Sequence, residues 1–113
     1  MKTPINTNQA PAAIGPYSQA IETNGMIFLS GQLPIDPQTG KFPEGGIQEQ
    51  TRQSLLNAKA ILESAGLSLD NVVKTTVLLS DISNLGPMNE IYAQFFGEPF
   101  PARSAFAVKD LPK

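Results

Sequence analysis

In the segment FPARSAF, residues 100–106, a guanidinium stands between a proline-ended approach and a run of small and apolar side chains. The choice of cation matters because the 113 residues contain neither cysteine nor histidine. That removes thiolate nucleophiles, thiolate metal sites, disulfides, the commonest general base near neutral pH and the commonest transition-metal ligand. What remains is two arginines (Arg52 and Arg103), six lysines, ten carboxylates, two tyrosines, hydroxyls, carboxamides and backbone N–H groups. Such an inventory suits binding and polarising an anion.

Strand alternation over residues 102–108 would put Ala102, Ser104 and Phe106 on one face and Arg103, Ala105 and Ala107 on the other. Arg103 then projects above small neighbours. On pattern alone the plainer reading is favoured: the side chain runs to the sheet edge or pairs with a nearby carboxylate. The sharper reading is a carboxylate receptor, because the planar fork makes two parallel charge-assisted bonds, each contributing about 1.5–3 kcal/mol.

Supporting donors are sparse. Ser30 and Gly31, in SGQ, end a strand with a hydroxyl and a residue that lets a ligand approach the backbone. Tyr17 follows the Gly15-Pro16 turn, where its phenol is placed either to donate to an anion or to cap the core. Asn89 sits near the start of a helical segment, where a carboxamide usually faces solvent.

The elements that must position these groups read in the order β, β, α, β, α, β. Residues 17–23 and 26–33 flank Asn24-Gly25 as a hairpin. The stretch 34–42, with Pro34, Pro37 and Thr39-Gly40, is loop chemistry. From Ile47 to Ala65 the apolar positions recur at helical spacing, and Gly66 supplies a stop. Residues 72–79 form a strand that is apolar on both faces apart from Lys74 and the threonines. A second helix carries Leu85, Met88, Ile91, Tyr92, Phe95 and Phe96, with Ser83 as its expected N-cap, Pro87 in its first turn and Gly97 past its end. Residues 102–108 are the last strand.

This is one α+β domain, residues 1–113, with two helices on one face of a mixed sheet. Leu29, Val73 and Val77 are expected on the opposite face, leaving an apolar patch that oligomerisation would cover. The net charge of −2 and pI of about 4.9 offer no footprint for nucleic acid or an anionic membrane. No run approaches the roughly 20 apolar residues a bilayer crossing needs, and MKTPINTNQAPAA lacks a signal peptide's hydrophobic region. A cytoplasmic protein is expected.

Taken together, the segments APAAIGPYSQA (10–20), LSGQLPIDPQTG (29–40), EQTRQSLLNAKAILESAG (49–66), VVKTTVLLSDI (72–82), MNEIYAQFF (88–96) and FPARSAFAV (100–108) resemble the Rid family, also called YjgF. PARS is the most specific piece. The resemblance implies a chorismate-mutase-like subunit, three of which join their sheets into a central barrel as a homotrimer with ligand clefts at the interfaces. It implies that Arg103 clamps a substrate carboxylate. Tyr17, Ser30, Gly31, Asn89 and the backbone N–H of Ala105 would bind substrate, partly from a neighbouring subunit. The family's substrates are 2-aminoacrylate and related 2-imino or 2-enamino acids released by pyridoxal-phosphate enzymes, and its products are a 2-keto acid and ammonia. No cofactor is required.

Two departures stand out. Many members carry a cysteine two residues after the arginine, where this chain has Ala105. Members also continue beyond LPK into a last strand bearing a glutamate thought to position water, whereas this sequence stops at Lys113. The departure favours an alternative in which the same pocket senses small carboxylates or 2-keto acids without turnover. Ribonuclease activity, also attached to relatives, fits poorly with so few basic residues.

Overall fold

The computed structural model describes all 113 residues. Five strands and two helices alternate as β1 (Thr3–Ile5), β2 (Ala20–Thr23), β3 (Met26–Leu29), α1 (Ile47–Ser64), β4 (Lys74–Leu79), α2 (Leu85–Phe95) and β5 (Ala102–Ala107). Single 3-10 turns at Leu69–Asn71 and Ile82–Asn84 lead into β4 and α2.

The hairpin β2–β3 turns at the expected pair, with φ of 51° at Asn24 and 76° at Gly25. Both central residues of a type I′ turn need positive φ, and Asn-Gly adopts it at least cost. Its strands are shorter than the sequence pattern suggests. Residues 17–19 bend away before β2, and the chain leaves the ladder at Ser30, where Ser30 N still donates to Gln19 O at 3.0 Å. An unexpected strand, β1, pairs antiparallel with β2 and puts Pro4 opposite Ile21. Proline has no N–H to donate, so it is tolerated there because β1 is an edge strand.

Helix α1 stops where glycine allows it. Gly66 has φ of 79°, Gly66 N donates to Glu63 O and Leu67 N to Leu62 O, a Schellman pair that satisfies the last carbonyls. The start of α2 differs from expectation. Ser83 is not its N-cap: it lies inside the preceding 3-10 turn, whose cap is Asp81, with Oδ1 accepting from Ser83 N at 2.9 Å. Asn84, immediately before α2, makes no capping bond with its side chain. The turn and the helix run continuously, so one acidic cap serves both.

The expected single mixed sheet is divided into two ladders. β1, β2 and β3 form an antiparallel sheet, and β4 and β5 pair in parallel with Thr75 opposite Arg103 and Leu78 opposite Phe106. No strand hydrogen-bonds to both ladders. They are held together instead by packing: Leu62, Leu69, Leu79, Met88, Tyr92 and Phe96 form the main core, and Leu29 and Val77 pack against it. A second cluster of Ala10, Ala20 and Ile61 joins α1 to the antiparallel sheet.

Both helices therefore cover the same side, as α+β layering requires. Leu29 and Val77, expected on the outer side, point into the core instead. The apolar side chains left on the outer face of the strands are Met26, Phe28, Leu78 and Phe106, all about half exposed or more. An exposed apolar face was correctly expected, but Leu29 and Val77 were assigned to it one residue out of phase, because alternation fixes parity only once the register is known. Val73, just before β4, is exposed as expected.

Candidate functional site

Arg103 emerges from the second position of β5, on the same face as Val77 and Leu79 of the neighbouring strand by cross-strand register. That face meets α2. Arg103 Nη1 donates to Asn89 Oδ1 at 2.7 Å, and its Cζ lies 4.8 Å from the centre of the Tyr92 ring. Tyr92 is itself fixed: its hydroxyl shares a 2.7 Å hydrogen bond with Thr75 Oγ1, and its ring lies against Phe96 with centroids 4.6 Å apart. Asn89 and Tyr92 are three residues apart on α2 and so present one face to β5.

The plainer expectation for Arg103, pairing with a carboxylate, is not what the chain builds. The one ion pair in the molecule joins Arg52 to Glu49 at 3.9 Å. Arg103 instead meets a neutral carboxamide oxygen and the electron-rich face of a ring, which orient a guanidinium without neutralising it. Its charge stays available to an incoming anion, and the residue is exposed in the single chain.

Ala105 and Ala107, both small, lie on the same face of β5 as Arg103. The ladder also decides where the Ala105 amide points. Ala102 N and Val108 N donate to Val73 O and Leu79 O of the β4 side, so the odd-numbered residues between them turn their N–H groups to the strand's free edge. The amides of Arg103 and Ala105 are thus donors aimed away from β4.

The other expected residues gather elsewhere. Tyr17 and Gly31 line a groove of about 250 Å³ with Ile14, Gln19, Gln32 and Leu33, and Arg103 and Asn89 are not part of it. Tyr17 is about half exposed, and its hydroxyl accepts from Ile14 N at 3.4 Å. Ser30 Oγ is committed to structure, donating to Ser18 O at 2.5 Å. Nothing lies within 4 Å of the position a side chain would take at Gly31, so the backbone there is open. A separate groove of about 210 Å³, around Leu69, Phe96 and Pro99, contains none of the expected residues. One chain therefore holds two groups, Arg103 and Ala105 on β5 with Asn89 of α2 bonded to Arg103, and Tyr17–Ser30–Gly31 at the end of the other ladder.

Sequence reasoning missed the residues that hold these groups in place. The buried Gln19 accepts from Thr7 N at 2.7 Å and donates to Thr7 O, Ala10 O and Pro11 O, which staples the segment leading to Tyr17. Buried Asn57 of α1 donates to Leu33 O and Ile35 O and anchors the loop after Gly31. A carboxamide inside a helical apolar stripe, as at Asn57, is the one available signal, since buried amides need partners. Tyr92 read only as part of the apolar stripe of α2, and Thr75 only as a polar exception within its strand. No three acidic side chains converge as metal ligands, and no helix is long and apolar enough to cross a membrane.

The family model described as Endoribonuclease L-PSP matches residues 7–113. The chain is 50% identical over 109 residues to the human 2-iminobutanoate/2-iminopropanoate deaminase, covering 96% of this chain and 80% of that protein. Among solved structures, a Yersinia pestis protein of the conserved Rid family superposes with a TM-score of 0.96 at 51% identity, covering 100% of this chain and 90% of that one. Escherichia coli TdcF, crystallised with bound serine, superposes with a TM-score of 0.92 at 46% identity, covering 98% of this chain and 89% of that one.

Proposed function

Because the chain belongs to the Rid (YjgF) family, whose model carries the description Endoribonuclease L-PSP, we propose that it hydrolyses short 2-imino acids, and the 2-enamino acids that tautomerise to them, into 2-keto acids and ammonia. The observation that carries this reading is Arg103: a cation with no acidic partner, held by Asn89 and Tyr92. The deaminase name of the human relative and the serine bound to TdcF support it, since both concern small molecules with a carboxylate.

The chemistry asks little of a nucleophile. The carbon of the C=N bond is already electrophilic. Water adds to it, the C=N electrons move to nitrogen, and the resulting carbinolamine expels ammonia as the C=O bond forms. Arg103 grips the carboxylate and holds the reacting carbon in one place, and the free amide of Ala105 adds a donor for developing negative charge. Orientation and preorganised donors of this kind account for much of the barrier lowering in enzymes. No metal or organic cofactor takes part in the proposed reaction.

The two groups of residues become one site if a second copy supplies the missing half. In the proposed homotrimer, the groove of Tyr17 and Gly31 on one subunit faces Arg103, Asn89 and the Ala105 amide on the next, and the outer sheet faces with Phe28, Leu78 and Phe106 turn toward the centre. The chain's net charge of −2 gives no support to RNA cleavage, despite the family model's description.

The test is the rate of pyruvate appearance when a dehydratase releases 2-aminoacrylate. Wild-type protein is expected to accelerate it, and Arg103→Ala to lower kcat/KM by about 10²-fold or more, the loss of two charge-assisted bonds. Arg103→Lys is expected to fail similarly, because an ammonium lacks the fork. Equal acceleration by wild type and Arg103→Ala overturns the mechanism. Binding of 2-ketobutyrate in calorimetry without any acceleration would instead support a sensor.

A further inference from the structure

We infer that Tyr92 is a positioning residue for the reaction, acting through the negative face of its ring on the guanidinium of Arg103. The inference rests on the carboxylate-binding reading of Arg103 and assigns a role to a residue that never touches substrate.

An arginine side chain has many rotamers, and one on an exposed strand position loses that freedom on binding a ligand. Here the freedom is already gone on two sides. Asn89 Oδ1 takes one Nη1 hydrogen at 2.7 Å, and the Tyr92 ring lies 4.8 Å from Cζ, within the range of a cation–π contact. Asn89 is polar and half buried, whereas Tyr92 is 7% exposed and held from three directions by the Thr75 hydroxyl, by Phe96 and by the core around Leu62 and Met88. Of the two partners the ring is therefore the rigid one.

The register explains why the contact is built in. Thr75 is the direct cross-strand partner of Arg103, so the strand pair that places the guanidinium also places the hydroxyl that anchors the ring beneath it. A carboxylate in place of the ring would orient the arginine as well but would compete with substrate for its charge. A ring face orients it and leaves the charge intact. Nη2 and Nε stay free to make the two parallel bonds that a substrate carboxylate needs.

The role predicts an effect on substrate capture that depends on the ring's electrons and not on its shape. Replacing Tyr92 by phenylalanine, and then by pentafluorophenylalanine through unnatural amino-acid incorporation, keeps a six-membered ring while reversing its quadrupole. Relative to the phenylalanine protein, the fluorinated one is expected to show KM for the imino acid raised about 2- to 30-fold, the span of measured cation–π strengths, with kcat little changed. The Kd for 2-ketobutyrate in calorimetry is expected to rise in parallel. In an Arg103→Ala background the same exchange is expected to have no effect on either.

Equal KM and Kd for the two aromatic variants overturns the positioning role, even if Arg103→Ala remains inactive. So does a fluorination effect that persists without Arg103, since it would then arise from packing. If Arg103→Ala is as active as wild type, the parent reading falls and takes this inference with it. Tyr92→Phe also checks the hydroxyl: a loss as large as that of fluorination would assign the role to the Thr75 bond and overturn the ring's part in it.

Discussion

Arg103 touches only a neutral oxygen and a ring within its own chain, so its value to a ligand depends on nothing nearby cancelling its charge. Asn89→Asp tests this directly. The change is nearly isosteric and sets a carboxylate where the carboxamide oxygen lies 2.7 Å from Nη1. The new ion pair occupies the cation and repels an incoming acid. KM is expected to rise about 10-fold or more, by the strength of a charge-assisted bond, while the melting temperature holds or rises. Asn89→Ala, which removes an orienting bond without adding charge, is expected to do less. Steady-state kinetics with parallel thermal melts decide it, and an aspartate variant with wild-type KM would contradict the argument. At this scale the arginine was legible because PARS sits in a simple alternation, whereas its supports were not. Asn89 and Arg103 are 14 residues apart and Thr75 and Tyr92 are 17 apart. Contacts between a strand and a helix at such separations leave no trace in local periodicity.

Among the elements, those with strong local determinants were readable. Helix α1 was found to within a residue, since apolar spacing and Gly66 mark its body and end. The Asn24-Gly25 turn fixed the hairpin. The failures share a cause: β1, with three residues and a proline, exists only because β2 offers it an edge, and the division into two ladders follows from pairing that no segment encodes alone. The cap before α2 carries a prediction. Asp81 accepts from the backbone N–H of Ser83, and this bond first, with a further one from the Ser83 side chain, lowers its pKa below the ordinary 3.8. The ionised form is thus favoured by folding. Its contribution is fully present above about pH 3.8 and is lost as pH falls through the lower folded value. Asp81→Ala is accordingly expected to melt below wild type at neutral pH, with the gap closing under acid. Thermal melts of both proteins from neutral pH to below 3 measure it, and a gap that stays constant with pH would show the charge to be irrelevant.

For the whole molecule the decisive quantity is how little a single chain buries. Only 12 of 113 residues are buried, a thin core for a domain of this size. Meanwhile Phe28 and Phe106 are each 56% exposed and Leu78 49%, with Leu78 and Phe106 side by side in the parallel register. Side chains of that size left in water signal a surface meant to be covered. The same covering would unite the Tyr17 groove with the Arg103 group, so assembly and activity should fail together. Phe106→Asp separates the effects on subunit and assembly. In an isolated chain the position is open to solvent and a carboxylate there is tolerated, whereas in an assembly the charge would be buried without a partner. Sedimentation is expected to show a wild-type trimer and a monomeric Phe106→Asp protein with unchanged far-ultraviolet circular dichroism. The variant is also expected to lose most deamination at protein concentrations where wild type is active, although Arg103, Asn89 and Tyr92 are intact in each chain. A variant that stays trimeric and active would mean that this face is not where copies meet, and a monomer with full activity would mean that one chain holds the whole site.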